Sequence, residues 1–288
     1  MPMADQRSAP WATLPAHTGT WALDQLIARI AAQPVVDGVL LMGSTATTPT
    51  PDSDYDLLLV VNNLPAPVHL LVTSVDDRFT EVYIQTTAQI DDLIDGDHPI
   101  STHSFDAALV AWIQTGRIAW DRDGRLQRAQ ERLRLHPRLV PPGTGDVYRT
   151  WFRISYNVRQ TRRMLHAADP WYHQAVDFRL LYSLPEVVIG YLKVRGLPWH
   201  GEKWALRYLA NNDPQFFDLF RRCIAIVDRS EKFALYEQMA AHALKPVGGL
   251  WPVDATTVDF ANDADAQAEH VDAALGWWTR LTGQGVVE

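Results

Sequence analysis

Asp54 and Asp56 are the residues of this chain best placed to do chemistry. They stand two apart at the entry of an apolar run, DYDLLLVV, and strand alternation puts both carboxylates on one face with Tyr55 on the other. Two carboxylates at the mouth of a buried strand repel one another and lose solvation unless a cation compensates them, which suits a hard divalent ion such as Mg²⁺. The preceding apolar run, VLLM, closes in Gly43-Ser44, a turn whose backbone N–H groups can approach phosphate oxygens. A polar, Pro-punctuated loop joins the two runs. Turn formation alone would account for Gly43, Asp52 and Asp54, but not for Asp56, which lies inside the apolar run. The pattern points to phosphoryl-type chemistry.

With Met42, Gly43, Ser44, the spacer Thr45 to Ser53, and then Asp54, Tyr55, Asp56 and Leu57, the segment resembles the nucleotidyltransferase superfamily with the DNA polymerase beta fold. The resemblance implies an α+β architecture: an N-terminal polymerase-beta-like nucleotidyltransferase domain with a mixed sheet, followed by a C-terminal helical bundle. It also implies a Mg²⁺ cofactor, a nucleoside triphosphate, and a third carboxylate from a later strand. Two further strand-like segments follow, HLLVTSV and FTEVYIQ, and Glu81 lies inside the second, where an unpaired carboxylate is costly. Glu81 is the expected third metal ligand or general base. Asp76 and Asp77 compete for that role but occupy an expected turn.

Composition narrows the partners. A chain of 288 residues accommodates two domains. Its formal net charge of −8 disfavours a global grip on long nucleic acid and suits a small or cationic acceptor, although a local basic channel would still admit an RNA end. A single cysteine, Cys223, excludes an internal disulfide and reads as a packed thiol. The histidines show no paired ligand spacing for zinc. The N-terminus lacks the basic start and apolar core of a secretory signal, and no apolar run is long enough for a bilayer, so a cytoplasmic protein without membrane contact is expected.

Periodicity then sets out the elements. Residues 1–18 read as a loose arm and 21–33 as an amphipathic helix stopped by Pro34. After the strands, Thr86-x-x-Gln89 has the form of a capping box. Residues 104–120 are expected as one helix and 125–135 as a charged one. The Pro- and Gly-rich stretch 137–145 divides a catalytic domain, 1–136, from a helical domain, 146–288. Helices are expected at 147–167, 172–194, 202–209, 214–229, 231–244 and 264–281.

In the helical part, Lys203 follows Gly201 in the first turn of a helix, where the dipole alone disfavours a cation and an anion would reverse the sign. The segment resembles the one after the catalytic domain in aminoglycoside adenylyltransferases, which implies a phosphate contact for Lys203 alone, in addition to the nucleotide-binding turn expected at Gly43 and Ser44; a snorkelling surface lysine is the alternative. Glu186 is a second possible base, set against a helix-capping role after Pro185. Arg159, Arg162, Arg163 and His166 have the spacing of a small helical ribonuclease motif but read more simply as a solvated basic face. Trp199 and Trp204 are core residues by default, with stacking on a base as the alternative.

The expected reaction is Mg²⁺-dependent transfer of a nucleoside monophosphate, from ATP, to a hydroxyl of a small antibiotic-type acceptor. Modification of a protein or tRNA end, as in toxin-antitoxin nucleotidyltransferases, is the second reading. A nucleotide-binding regulator without turnover is the third.

Overall fold

The computed structural model describes residues 21–260 and 268–282; the N-terminal arm expected at 1–18 lies outside them. The described chain is α+β and divides into two compact units. One comprises residues up to Asp97 together with Leu109–Pro137, the other His98–Ala108 together with Arg138 onward. The segment His98–Ala108 therefore belongs with the helical unit, although it precedes the Pro-rich stretch.

The first unit is built on a five-stranded mixed sheet. Its strands are β1 (Val36–Met42), β2 (Tyr55–Val61), β3 (Leu70–Val75), β4 (Arg78–Thr86) and β6 (Arg117–Asp121), in the spatial order β3-β4-β2-β1-β6. β2 and β4 run parallel, and the other neighbours are antiparallel. The parallel pair arises because the chain leaves β2 for the sheet edge, forms β3, and turns back into the space between. The turn is Asp76-Asp77, both with positive φ, the backbone twist that a two-residue hairpin favours and that Asp tolerates.

Alternation divides the sheet into two faces. Val39, Leu41, Tyr55, Leu57, Val82 and Ile84 point one way, and Leu23, Leu26, Ile27 and Ile30 of α1 (Leu23–Ala31) pack against them. The opposite face carries Leu40, Leu58 and Val60, with α4 (Arg125–Leu135) so close that a Cβ on Gly38 would lie 2.6 Å from Leu126 Cδ1. The capping box at Thr86 forms as expected and opens α2 (Thr87–Asp95).

The helix expected over 104–120 is shorter. α3 spans Phe105–Thr115, Gly116 breaks it, and Arg117–Asp121 is a strand. The reason is tertiary: β1 has an open ladder on this side, and pairing Val39 with Trp120 and Leu40 with Ile118 satisfies it.

In the second unit, α5 (Thr144–Leu165), α6 (Pro170–Lys193), α7 (Glu202–Asn212), α8 (Pro214–Ala225) and α9 (Arg229–Leu244) surround a core that includes Leu209, Phe216, Tyr236 and Met239. The helix starts are local in origin. Asp169 and Asp213 cap α6 and α8, each followed by Pro at the first helical position. Two short parallel strands, β5 (Ile100–Ser101) and β7 (Leu139–Val140), and α10 (Ala268–Thr282) complete the described residues. No described helix is long and apolar enough to cross a membrane.

α5 and α6 approach closely at Gly190, where a Cβ would lie 2.4 Å from Ile154 Cδ1. Gly190→Ala sets a helix-propensity gain of up to about 1 kcal/mol against overpacking of about 1–3 kcal/mol. The variant should therefore lose stability, and adding Ile154→Val should recover most of it, as read by thermal unfolding.

Candidate active site

Asp54 immediately precedes β2 and Asp56 is its second residue, both on the face opposite α1. Tyr55, on the other face, is buried and donates its hydroxyl to Asp76 Oδ2 at 3.3 Å; the same Oδ2 accepts the Leu23 N–H at the start of α1. This anchor sets which way the alternation falls. Asp76, expected to be a solvated turn residue, is exposed but structurally engaged.

The turn after β1 is a single 3₁₀ turn, Gly43–Ala46. Its Thr45 is 2 % exposed, and the Thr45 hydroxyl accepts the Asp56 N–H at 3.0 Å and donates to the Asp54 carbonyl at 3.5 Å. Gly43 has φ +52, and a Cβ there would lie 2.9 Å from Asp56 Oδ2. Only glycine lets the backbone come this close to the carboxylate. The loop before Asp54 is held by Arg78, which donates to the carbonyls of Thr50 and Ser53 and lies over the Tyr55 ring. Thr45 and Arg78 carry no motif signal, because each works through atoms distant in sequence.

Glu81 sits in β4 directly opposite Asp56 in the parallel register, and therefore on the same face. Two residues on, Tyr83 packs its ring against Trp112 of α3, tilted, with the centroids 4.6 Å apart. Burial raises the Tyr83 phenol above its ordinary pKa; the negative charges of Glu81 and Asp56, and a hydrogen bond to Glu81, raise it further. Tyr83 thus senses both carboxylates. Sequence reading missed it, since a tyrosine in an apolar strand reads as core.

Asp54, Asp56, Glu81, Gly43 and Ser44 are therefore gathered at one end of one sheet. Among the described residues, no group of three or more His, Cys, Asp or Glu is disposed to hold a metal ion. The three-carboxylate set expected from Asp54, Asp56 and Glu81 is thus not a closed protein cage. Mg²⁺ retains waters and is commonly held by one or two carboxylates together with substrate phosphates, so the Asp54/Asp56 pair fits that ion jointly with a triphosphate.

The remaining candidates belong to the helical unit. Lys203 is exposed in the first turn of α7, after Gly201 with φ +83. Glu186 lies inside α6, beyond the internal Pro185, so it caps nothing. It accepts Asn157 Nδ2 at 2.7 Å and lies 3.9 Å from Arg153, while Arg179 donates to Asn157 Oδ1 at 2.7 Å. Arg159 donates to the carbonyls of Pro252 and Val253, Arg162 pairs with Glu237, and Arg163 donates to Gln160. These arginines are structural anchors. Trp204 stacks on Tyr208 at 5.2 Å, and Trp199 packs against the helical core. Burial pushes the Cys223 thiol up to about 11, as for a packed rather than a reactive cysteine.

The geometry defines an α+β unit with an acidic, glycine-flanked sheet end, and a separate helical unit. No protein-family model matches the chain, and no curated protein matches it. Among solved structures, the chain is similar to a nucleotidyltransferase-like protein from Exiguobacterium sibiricum 255-15, with 14% identity and a TM-score of 0.41 over 76% of this chain and 72% of that one. So distant a likeness adds nothing to the chemistry of the residues above.

Two outcomes follow from this geometry. Thr45→Val removes both hydroxyl contacts and leaves the part-buried Asp56 N–H without its acceptor, which should cost about 1–3 kcal/mol in urea unfolding; Thr45→Ser should retain most of the stability. For Glu186, burial raises the folded-state pKa, opposed by Arg153, Asn157 and Arg179. The native state then holds the proton more tightly than the unfolded chain, so this contribution is greatest below the ordinary carboxylate range and declines as pH rises through the folded value. Glu186→Gln should flatten the decline, seen by comparing urea midpoints at acid and neutral pH.

Proposed function

We propose that the protein transfers a nucleoside monophosphate, AMP from ATP, to a hydroxyl of a small-molecule acceptor. The observation that carries this reading is the same-face register of Asp56 with Glu81, with Asp54 two residues before Asp56 and the Gly43 backbone against the Asp56 carboxylate. In this reading Asp54 and Asp56 hold Mg²⁺, whose contribution when bound is Lewis-acid neutralisation of charge on the phosphate oxygens. The Gly43-Ser44 turn positions the triphosphate beside them. Glu81 takes the acceptor's proton as its oxygen attacks the α-phosphorus and the bond to pyrophosphate breaks. Tyr83, hydrogen-bonded to Glu81, orients that carboxylate.

An acceptor of antibiotic type, polar and compact, is favoured by the chain's formal charge of −8, which repels polyanions. The chemistry rests on the first unit alone; Lys203 remains a proposed phosphate contact on the residue-level argument of a cation at a helix start.

Incubation with α-labelled ATP, Mg²⁺ and separate pools of small molecules, tRNA and protein should place the label in the small-molecule pool. Asp56→Asn should lower turnover by several orders of magnitude, the scale of charge stabilisation by a bound metal, while the protein stays folded. Glu81→Gln should lower kcat far more than it raises the nucleotide KM, because a base acts in the transition state. Wild-type turnover in either variant would refute the assignment.

A further inference from the structure

We infer that the helical unit pairs with a second copy of itself along an exposed apolar stripe of α6, the two helices running antiparallel about a two-fold axis at the level of Leu180. The inference concerns the second unit and is independent of the transfer reading. α6 is apolar on two sides. One side, with Val176, Leu180, Leu184, Val187 and Tyr191, is buried in the core of its own unit. The other carries Trp171, Phe178, Leu181, Tyr182 and Ile189, all exposed, with Gln174 and Pro185 between them. Trp171 is 73 % exposed, Phe178 70 % and Leu181 74 %. A helix that is apolar on both sides needs cover on both.

The spacing of the stripe is that of a seam between two helices. Trp171, Phe178 and Pro185 recur at intervals of seven, as do Gln174 and Leu181. The stripe also matches its own reverse. Trp171 and Ile189 stand equally far before and after Leu180, about five turns apart and therefore on one line of the helix. Phe178 and Tyr182 also stand equally far before and after it, close to that line. A two-fold axis at this level sets Trp171 against Ile189 of the second copy, a large side chain against a smaller one, and Phe178 against Tyr182, aromatic against aromatic. A two-fold dimer requires such self-matching, whereas an unrelated partner has no need of it.

The stripe itself carries no charged residue. Charges on its flanks are committed within the unit: Arg229 donates to Asp177 at 2.8 and 2.6 Å, Arg179 to Asn157 Oδ1 at 2.7 Å, and Asn157 Nδ2 to Glu186 at 2.7 Å. A second helix can therefore cover the stripe without stranding a charge. A membrane surface would instead call for flanking cations directed at lipid headgroups, and these arginines are directed at acceptors of their own unit. Ile224 and Val227 share a groove with Leu181 and extend the patch, Val227 being 92 % exposed. The exposed fractions of these side chains amount to on the order of 900 Å², comparable with what each partner contributes to a standard stable interface and above the largest apolar patch usual on a monomer.

Sedimentation equilibrium on the full chain should give a dimer at micromolar concentration. Phe178→Ser/Leu181→Ser should weaken dimerisation on the order of a hundredfold or more, because each change is made in both copies. Its far-UV circular dichroism should stay that of wild type, since both side chains are exposed. Cross-linking fixes the direction of pairing. Trp171→Cys and Ile189→Cys, prepared as single variants, should join through a short bis-maleimide when mixed and not when alone; the native Cys223 is buried. A wild-type monomer throughout the micromolar range overturns the inference, whether or not that monomer binds other proteins or anionic vesicles. So does a dimer that the double serine variant leaves intact, or one in which Trp171→Cys joins to itself.

Discussion

Like charge is the constraint on which the acidic end of the sheet depends. Asp54, Asp56 and Glu81 face the same side, and carboxylates crowded together in a desolvated place raise the cost of ionising one another. The protein meets the constraint by position. Deeper along the strands the same face is covered, with Leu58 and Val60 buried, but at the carboxylates it remains partly open. Tyr83 marks the transition: packed on Trp112 at one side, it is hydrogen-bonded to Glu81 at the other.

The site is held in register by contacts made outside the three carboxylates. The Thr45 hydroxyl ties the turn after β1 to both ends of the Asp54-Tyr55-Asp56 backbone, and Tyr55 ties the strand to Asp76 and so to the start of α1. Arg78 secures the intervening loop through carbonyl oxygens.

The helical unit uses its ionisable groups differently. Glu186 is bound to Asn157, Asp213 accepts from Tyr191 and lies 2.7 Å from His242, and Arg195 donates to the carbonyls of Tyr191, His242 and Ala243. These are polar groups closing helix ends and crossings in a packed core, where an unsatisfied group would be costly. Burial pushes the Tyr191 phenol up to about 12, in keeping with a structural hydrogen-bond donor.

The sequence by itself determined what is local. The Asp54/Asp56 alternation, the Thr86 capping box, the start of α8 at Pro214 and the turn at Asp76-Asp77 were all legible, because each depends on residues within a few positions of one another. Tertiary structure decided the rest. Arg117–Asp121 became a strand because β1 had an unfilled ladder, a demand invisible in the segment's own pattern. Glu81 faces Asp56, and Val72 faces Glu81, only through strand register, which a one-residue slip would reverse. Thr45, Arg78 and Tyr83 acquired their roles through groups on other elements, and hydrogen bonds across a fold leave no periodicity behind for a sequence to display.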